Sequence, residues 1–406
     1  MVSDTHRAID AVWRIESARV IAGLARIVRD VGIAEELAQD ALLAALEQWP
    51  REGVPRNPGA WLMAISKRRA IDLIRREQTY GRKLEEVGRL QTDVAEDEFD
   101  LEEIEDDLLR LVFVACHPVL STQARVALTL RLLGGLTTDE IARAFLVPEP
   151  TVAQRIVRAK KTLAKEQVPF EVPQGAELVE RLASVLEVIY LVFNEGYTAT
   201  AGDDWMRPAL CQDALRLGRI LAELMPKEPE VHGLVALMEI QASRTAARTG
   251  PDGEPVLLLD QDRTRWDRML IGRGLTALKR AEAVGPYVLQ AEIAACHARA
   301  LTPSETDWVR ISALYEELAS LAPSPVVELN RAVALSMAYG PAVGLELLDQ
   351  LGDALPDYHL LPSVRGDLLA RLGRTREARE EFLKAAALTR NERERRLLIE
   401  RADGLP

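Results

Sequence analysis

LTTDEIARAFLVPEPTVAQRIVRAKKTLAK, residues 136–165, spells out a two-helix unit with its own start, corner and inner face. Thr137 and Glu140 form a Ser/Thr-x-x-Glu capping box, which opens a helix carrying Ile141, Ala142 and Phe145. Leu146-Val147-Pro148-Glu149 reads as a short turn, and Pro150 sits where a second helix begins. Val152, Ile156, Ala159 and Leu163 then recur at helical spacing on the inner face. Two helices joined so tightly are a helix-turn-helix, whose second helix presents its N-terminal residues to a major groove.

The charge agrees with that reading. Residues 151–165 hold five bases and no acid. Thr151, Gln154 and Arg155 are placed to reach base edges or phosphates, and Arg158, Lys160 and Lys161 to neutralise phosphates. The competing reading is a helical hairpin with a basic exterior.

Toward the N-terminus the next feature is DVAEDEFDLEEIEDD, residues 93–107, with ten acids in fifteen positions. Such a run repels itself, so it reads first as a flexible linker running into a helix, and second as a nucleic-acid mimic occupying a basic channel. It also explains how a chain of net charge −12 suits a polyanionic partner. Residues 1–168 have a net charge of −3, but residues 84–107 alone account for −11, leaving the rest of that half at +8.

Before the acidic strip, residues 8–48 show helical periodicity through Val20, Leu24 and Ile27, then Leu37, Ala41 and Leu46. PREGVPRNP, residues 50–58, breaks it with three prolines and a glycine, so a loop follows the second helix. Asn57 caps a new helix with Pro58 at its first position. That helix sets Lys67, Arg68, Arg69, Arg75 and Arg76 against few acids, chiefly Asp72 and Glu77, and phosphates are the natural counter-charge.

The whole chain has 406 residues, 48% hydrophobic but only 5% aromatic, and is crowded with Ala, Leu, Arg and Glu, which favours an all-α fold of two or three domains. Cysteines at 116, 211 and 296 form no CxxC pair and have no histidine at ligand spacing, which excludes a disulfide framework or zinc finger. MVSDTHRAID lacks the apolar core of a signal peptide, and no uncharged apolar run reaches the roughly 18 residues of a membrane span. A cytoplasmic protein with no membrane partner is expected.

Two basic helical blocks joined by an acidic linker, the first following AEELAQDALLAALEQW, resemble the extracytoplasmic-function group of bacterial sigma-70 RNA polymerase factors over residues 10–165. The resemblance implies a region 2 helical domain at 8–80, the acidic linker at 81–107 and a region 4 helix-turn-helix domain at 108–168. It implies that Glu36, Gln39 and Asp40 contact the β′ clamp helices of core polymerase, and that region 4 meets the β flap. PREGVPRNP is similar to the loop that captures a flipped promoter base, which brings in Arg56 and Asn57. WLMAISKRRAIDLIRR is similar to the helix that follows, with Lys67, Arg68, Arg75 and Arg76 near the non-template strand; the family usually has Asn where this chain has Arg68. The helix-turn-helix matches the unit that reads the distal promoter element. Trp61, or Trp49, would stack on an extruded base, the other reading being that both are core tryptophans.

About 235 residues remain. Tyr315, Leu348 and Phe382 are 33 and 34 residues apart, the tetratricopeptide period, and Gly366, Leu369, Gly373, Ala378, Phe382 and Ala385 fall at the offsets of one helical hairpin. Ala214, Leu221 and Pro226 repeat part of the spacing earlier. Residues 176–402 therefore read as an α-solenoid of tetratricopeptide-like hairpins. VIYLVFNEGYTA, LLLDQDRTRWD, PSPVVELNRAVAL and YHLLPSVRGDLLARLG resemble the extension of one subgroup of these sigma factors. A solenoid groove suits an unidentified protein or peptide, which makes the extension a regulatory module.

No enzyme is indicated. Asp260 and Asp262 read as loop and cap residues, Asn194-Glu195-Gly196 as a helix end with Gly196 left-handed, and the five histidines are dispersed, so neither cofactor nor metal is expected. The leading expectation is a sigma factor controlled by its own extension. The alternative is a regulator that binds an operator through the helix-turn-helix without polymerase.

Overall fold

A computed structural model describes residues 4–84, 101–199, 205–251, 253–352 and 354–405, and among them the fold is all-α with no strand. The chain divides into two compact units, residues 1–189 and 190–406.

The first unit starts with α1 (Asp4–Val28), α2 (Val31–Glu52) and α3 (Pro58–Leu84). Ile21, Leu24 and Leu62 are at most 1% exposed in its core, each worth roughly 1.5–3 kcal/mol relative to exposure. Asp30 caps α2 through the Ile33 amide at 2.9 Å. Pro50 does not end α2. It sits in the last turn, and Gly53, at φ 87°, stops the helix two residues after Arg51. The loop is therefore shorter than the prolines imply. Asn57 does cap α3, its Oδ1 accepting from the Ala60 amide at 3.1 Å, with Pro58 first in the helix.

Next come α4 (Leu101–Ala115), α5 (Thr122–Leu132), α6 (Thr138–Phe145) and α7 (Glu149–Lys165). Residues 85–100 of the acidic strip lie outside the described residues. At its far end Asp107 is a core acid, 1% exposed and paired with Arg26 at 2.9 Å and Arg110 at 2.6 Å. α8 (Gly175–Tyr197) begins in the first unit, where Arg181 donates to the Phe113 carbonyl at 2.9 Å and Ser184 to the Cys116 carbonyl at 2.6 Å.

The second unit contains the end of α8, then α9 (Pro208–Leu224), α10 (Pro229–Ala242), α11 (Arg268–Leu278), α12 (Pro286–Arg299), α13 (Trp308–Leu321), α14 (Pro325–Tyr339), α15 (Pro341–Leu351), α16 (Leu360–Arg371), α17 (Thr375–Leu388) and α18 (Glu392–Asp403). From α12 to α18 each helix packs on the next. Leu348 on α15 and Phe382 on α17 are 0% and 1% exposed, while Tyr315 on α13 packs beside Ile311 and Leu314. A Cβ on Gly366 would come within 2.9 Å of the Phe382 ring and 3.2 Å of the Ala378 carbonyl, so the missing side chain is what lets α16 and α17 approach.

Gly196 departs from expectation. It lies inside α8 with an ordinary helical backbone, and a Cβ there would meet the Cys211 amide nitrogen at 2.6 Å. Its function is close packing against the start of α9, not helix termination.

Candidate nucleic-acid and polymerase interface

The helix-turn-helix folds as its pattern dictates. Thr137 caps α6 through the Glu140 amide at 3.1 Å, and Glu140 answers by accepting from the Thr137 amide at 2.8 Å. Burial would raise the Glu140 carboxyl, but the Thr137 hydrogen bonds and the Arg14 guanidinium outweigh it and hold it below the usual carboxylate range. The corner is made by Leu146, at φ 50° and ψ 43°, in the left-handed region that a non-glycine residue seldom occupies. α7 then starts after Pro148 and buries Val152, Ile156, Ala159 and Leu163.

With that face fixed, the opposite side of α7 is determined. Thr151, Gln154, Arg158 and Lys161 are exposed and Arg155 is half-buried. Thr151, Gln154, Arg155 and Arg158 line a cleft of about 390 Å³ with Ser121 and Gln123 at the start of α5. The described residues bring no carboxylate within 4 Å of Arg155, Arg158 or Lys161, so these cations remain available to phosphate.

Lys160 goes elsewhere. Its ammonium is ion-paired with Glu35 on α2, whose carboxylate is 3% exposed and also accepts from Arg131 Nε on α5 at 2.6 Å and Gln39 Nε2 at 2.5 Å. This corrects the expectation that Lys160 neutralises phosphate. Burial pushes the Glu35 carboxyl up, and the Lys160 and Arg131 charges more than offset that, leaving it below its ordinary value. Glu35 is the residue that sequence reasoning missed. The available signal was its position beside Ala34 and one turn before Ala38, on the buried stripe of α2.

The other expected residues of α2 and α3 differ in exposure. Glu36 and Asp40 are exposed, and Asp40 pairs with Arg69 at 3.0 Å, while Gln39 is half-buried and spends its amide on Glu35. Arg56 and Asn57 are exposed in the loop before α3; on α3, Arg68, Arg75 and Arg76 are exposed and Lys67 is half-buried. The tryptophans separate. Trp49 is 2% exposed, a core residue, and Trp61 is half-buried, its ring meeting Trp49 edge-on at 5.3 Å. Only Trp61 keeps a partly accessible ring.

Among the described residues no group of histidine, cysteine and carboxylate side chains could hold a metal ion, and no helix is long and apolar enough to cross a membrane. Asp262 caps the helical turn Arg263–Arg265 by accepting from the Thr264 amide at 2.9 Å.

Residues 14–80 match the family described as sigma-70 region 2, residues 110–163 match sigma-70 region 4, and residues 181–282 match a family of unknown function (DUF6596). The chain is 44% identical to an uncharacterized protein of Rhizobium meliloti (strain 1021), over 92% of this chain and 90% of that one. It is 31% identical to the ECF RNA polymerase sigma factor SigK of Mycobacterium ulcerans, over 36% of this chain and 78% of that protein. SigK of Mycobacterium bovis (strain BCG) is 29% identical over the same shares.

Proposed function

The chain belongs to the extracytoplasmic-function group of sigma-70 RNA polymerase factors and carries a C-terminal extension, and we propose that its two N-terminal blocks divide promoter opening between them. As a sigma factor it binds core RNA polymerase and promoter DNA and directs transcription initiation. In the finer reading, Glu36, Gln39 and Asp40 on α2 meet the β′ clamp, and the region 4 block meets the β flap. Arg56, Asn57 and Trp61 hold an extruded base, while Lys67, Arg68, Arg75 and Arg76 track the unpaired strand. Thr151, Gln154, Arg155, Arg158 and Lys161 on α7 face the distal element.

The domain limits that go with this are 8–80, 81–107, 108–168 and 176–402. The last is a solenoid of tetratricopeptide-like hairpins that regulates the factor and receives a protein or peptide partner; the consecutive packing from α12 to α18 and the close approach at Gly366 support it. The factor acts in the cytoplasm and catalyses no reaction of its own.

One observation carries the DNA-reading assignment: the side of α7 left after its apolar face is buried holds Thr151, Gln154, Arg155 and Arg158 around one cleft. Sigma regions 2 and 4 on a single chain favour this over a DNA regulator that works without polymerase. The test is run-off transcription with core polymerase and the full-length chain on a promoter library. Discrete start sites are expected, lost in the triple variant Arg155→Ala, Arg158→Ala, Lys161→Ala, and polymerase association is expected to weaken in Glu36→Ala, Asp40→Ala. A full-length chain that neither associates with core polymerase nor directs any start site would overturn the reading.

A further inference from the structure

Three arginines are buried in the second unit with no carboxylate within 4 Å among the described residues: Arg244, Arg248 and Arg263, exposed by 9%, 6% and 4%. Two have found neutral partners. Arg263 donates through Nη1 to the carbonyls of His297 and Ala300, both at 2.9 Å, and through Nη2 to the Thr306 hydroxyl at 2.9 Å. Arg248 donates to the Tyr197 carbonyl at the end of α8 and to the Thr198 hydroxyl at 2.9 Å, with its guanidinium 3.5 Å from the centre of the Tyr197 ring. A cation there also suits the negative end of the helix dipole.

Arg244 has no such arrangement. Its guanidinium carbon lies 5.7 Å from the Tyr197 ring centre and 5.8 Å from that of Trp266, and its buried Nε has no hydrogen-bond partner. Its side chain makes no hydrogen bond to any described residue. Its surroundings share the deficit: Arg263 Nε, Trp266 Nε1 and His297 Nδ1 are also buried and unpartnered. Burial, then the Arg244 and Arg263 charges, push His297 down to about 3, so at neutral pH it is an uncharged imidazole. Buried donors are nearly always satisfied, and a buried charge is normally paired. Several nitrogens without a partner among the described residues, set round a guanidinium with no described carboxylate beside it and with aromatic walls, are suited to oxygen acceptors carrying negative charge.

We propose that the cluster centred on Arg244 binds a compact oxyanion, a carboxylate or phosphate group, with Trp266 and His297 as supporting donors. This deepens the regulatory reading of the extension by naming the chemical class it senses, and it rests on that reading only for its consequence in transcription. The binding test needs neither polymerase nor DNA, so its failure leaves promoter recognition untouched.

The full-length chain is titrated with sodium succinate or sodium phosphate at constant ionic strength, with sodium chloride as control, following thermal unfolding and tryptophan emission. A saturable rise in Tm of roughly 3 °C is expected when the effective anion exceeds its Kd about tenfold, with a change in emission from Trp266. Arg244→Met should abolish both effects, and Arg244→Lys should weaken them at least tenfold in apparent Kd. Arg376→Met, at a side chain 92% exposed, should leave them unchanged. A response to succinate alone identifies a carboxylate source, and a response to phosphate alone a phosphate source. No response beyond chloride with either anion, or a response that survives in both Arg244 variants, would overturn the proposal; the wild-type titration decides even if Arg244→Met does not fold.

Discussion

The carboxylate of Glu35 on α2 is ion-paired with Lys160 on α7, so the helix that carries the expected polymerase contacts and the helix that carries the expected base contacts share one buried charge cluster, completed by Arg131 on α5. Removing the acid leaves two partly buried cations facing each other. Glu35→Gln should lower stability by about 2–3 kcal/mol, measured by urea unfolding, the figure being held down because Arg131 and Lys160 are each about one-fifth exposed.

The same cluster sets a pH dependence. Because the folded Glu35 carboxyl lies below its unfolded value, its contribution is complete above the unfolded pKa and fades as pH falls through the folded one. The stability gap between wild type and Glu35→Gln should therefore shrink between about pH 7 and about pH 3. A gap that widens on acidification would contradict the assigned pairing.

Adjacent lysines on α7 should behave oppositely. Lys161 is exposed, so Lys161→Ala should leave unfolding unchanged within about 0.5 kcal/mol while reducing the salt slope of duplex binding by about one. Lys160→Ala should cost stability and leave that slope nearly intact, since its charge is committed to Glu35. Fluorescence anisotropy of a labelled duplex across a sodium chloride series checks both.

Gly366→Ala tests the close approach of α16 and α17. Alanine would gain up to about 1 kcal/mol of helix propensity, but its Cβ would lie 2.9 Å from the Phe382 ring and 3.2 Å from the Ala378 carbonyl. Overpacking should win, for a net loss of about 1–2 kcal/mol by thermal unfolding.

The thiols should be inert. Cys116, Cys211 and Cys296 are all buried, and burial pushes the first up to about 11, the second up to about 12 and the third upward. A thiol reagent at pH 8 should label none of them until the chain is unfolded, and then all three.

What the sequence disclosed was local. Val152, Ile156, Ala159 and Leu163 announce a buried face because four residues at helical spacing suffice to define one, and Thr137 with Glu140, three positions apart, announces a helix start. Glu35 and Lys160 were illegible because their partnership spans 125 positions and each looks like an ordinary surface charge in its own helix. Pro50 misled in the other direction: its missing amide is tolerated near a helix end, so a proline-rich string began three residues before the loop did. The arginines at 244, 248 and 263 showed nothing unusual in the chain, since only folding puts Tyr197 and Trp266 beside Arg244.

Leu146 turns the corner of the helix-turn-helix at φ 50° with a side chain more than half exposed, so it bears left-handed strain without recovering much from burial. Glycine or asparagine at that one position relieves the strain at little packing cost, and roughly 1 kcal/mol of latent stability is therefore held in the sharpest bend of the DNA-facing block. An engineer seeking a hardier version of this protein has a place to begin that touches neither α7 nor the charge cluster behind it.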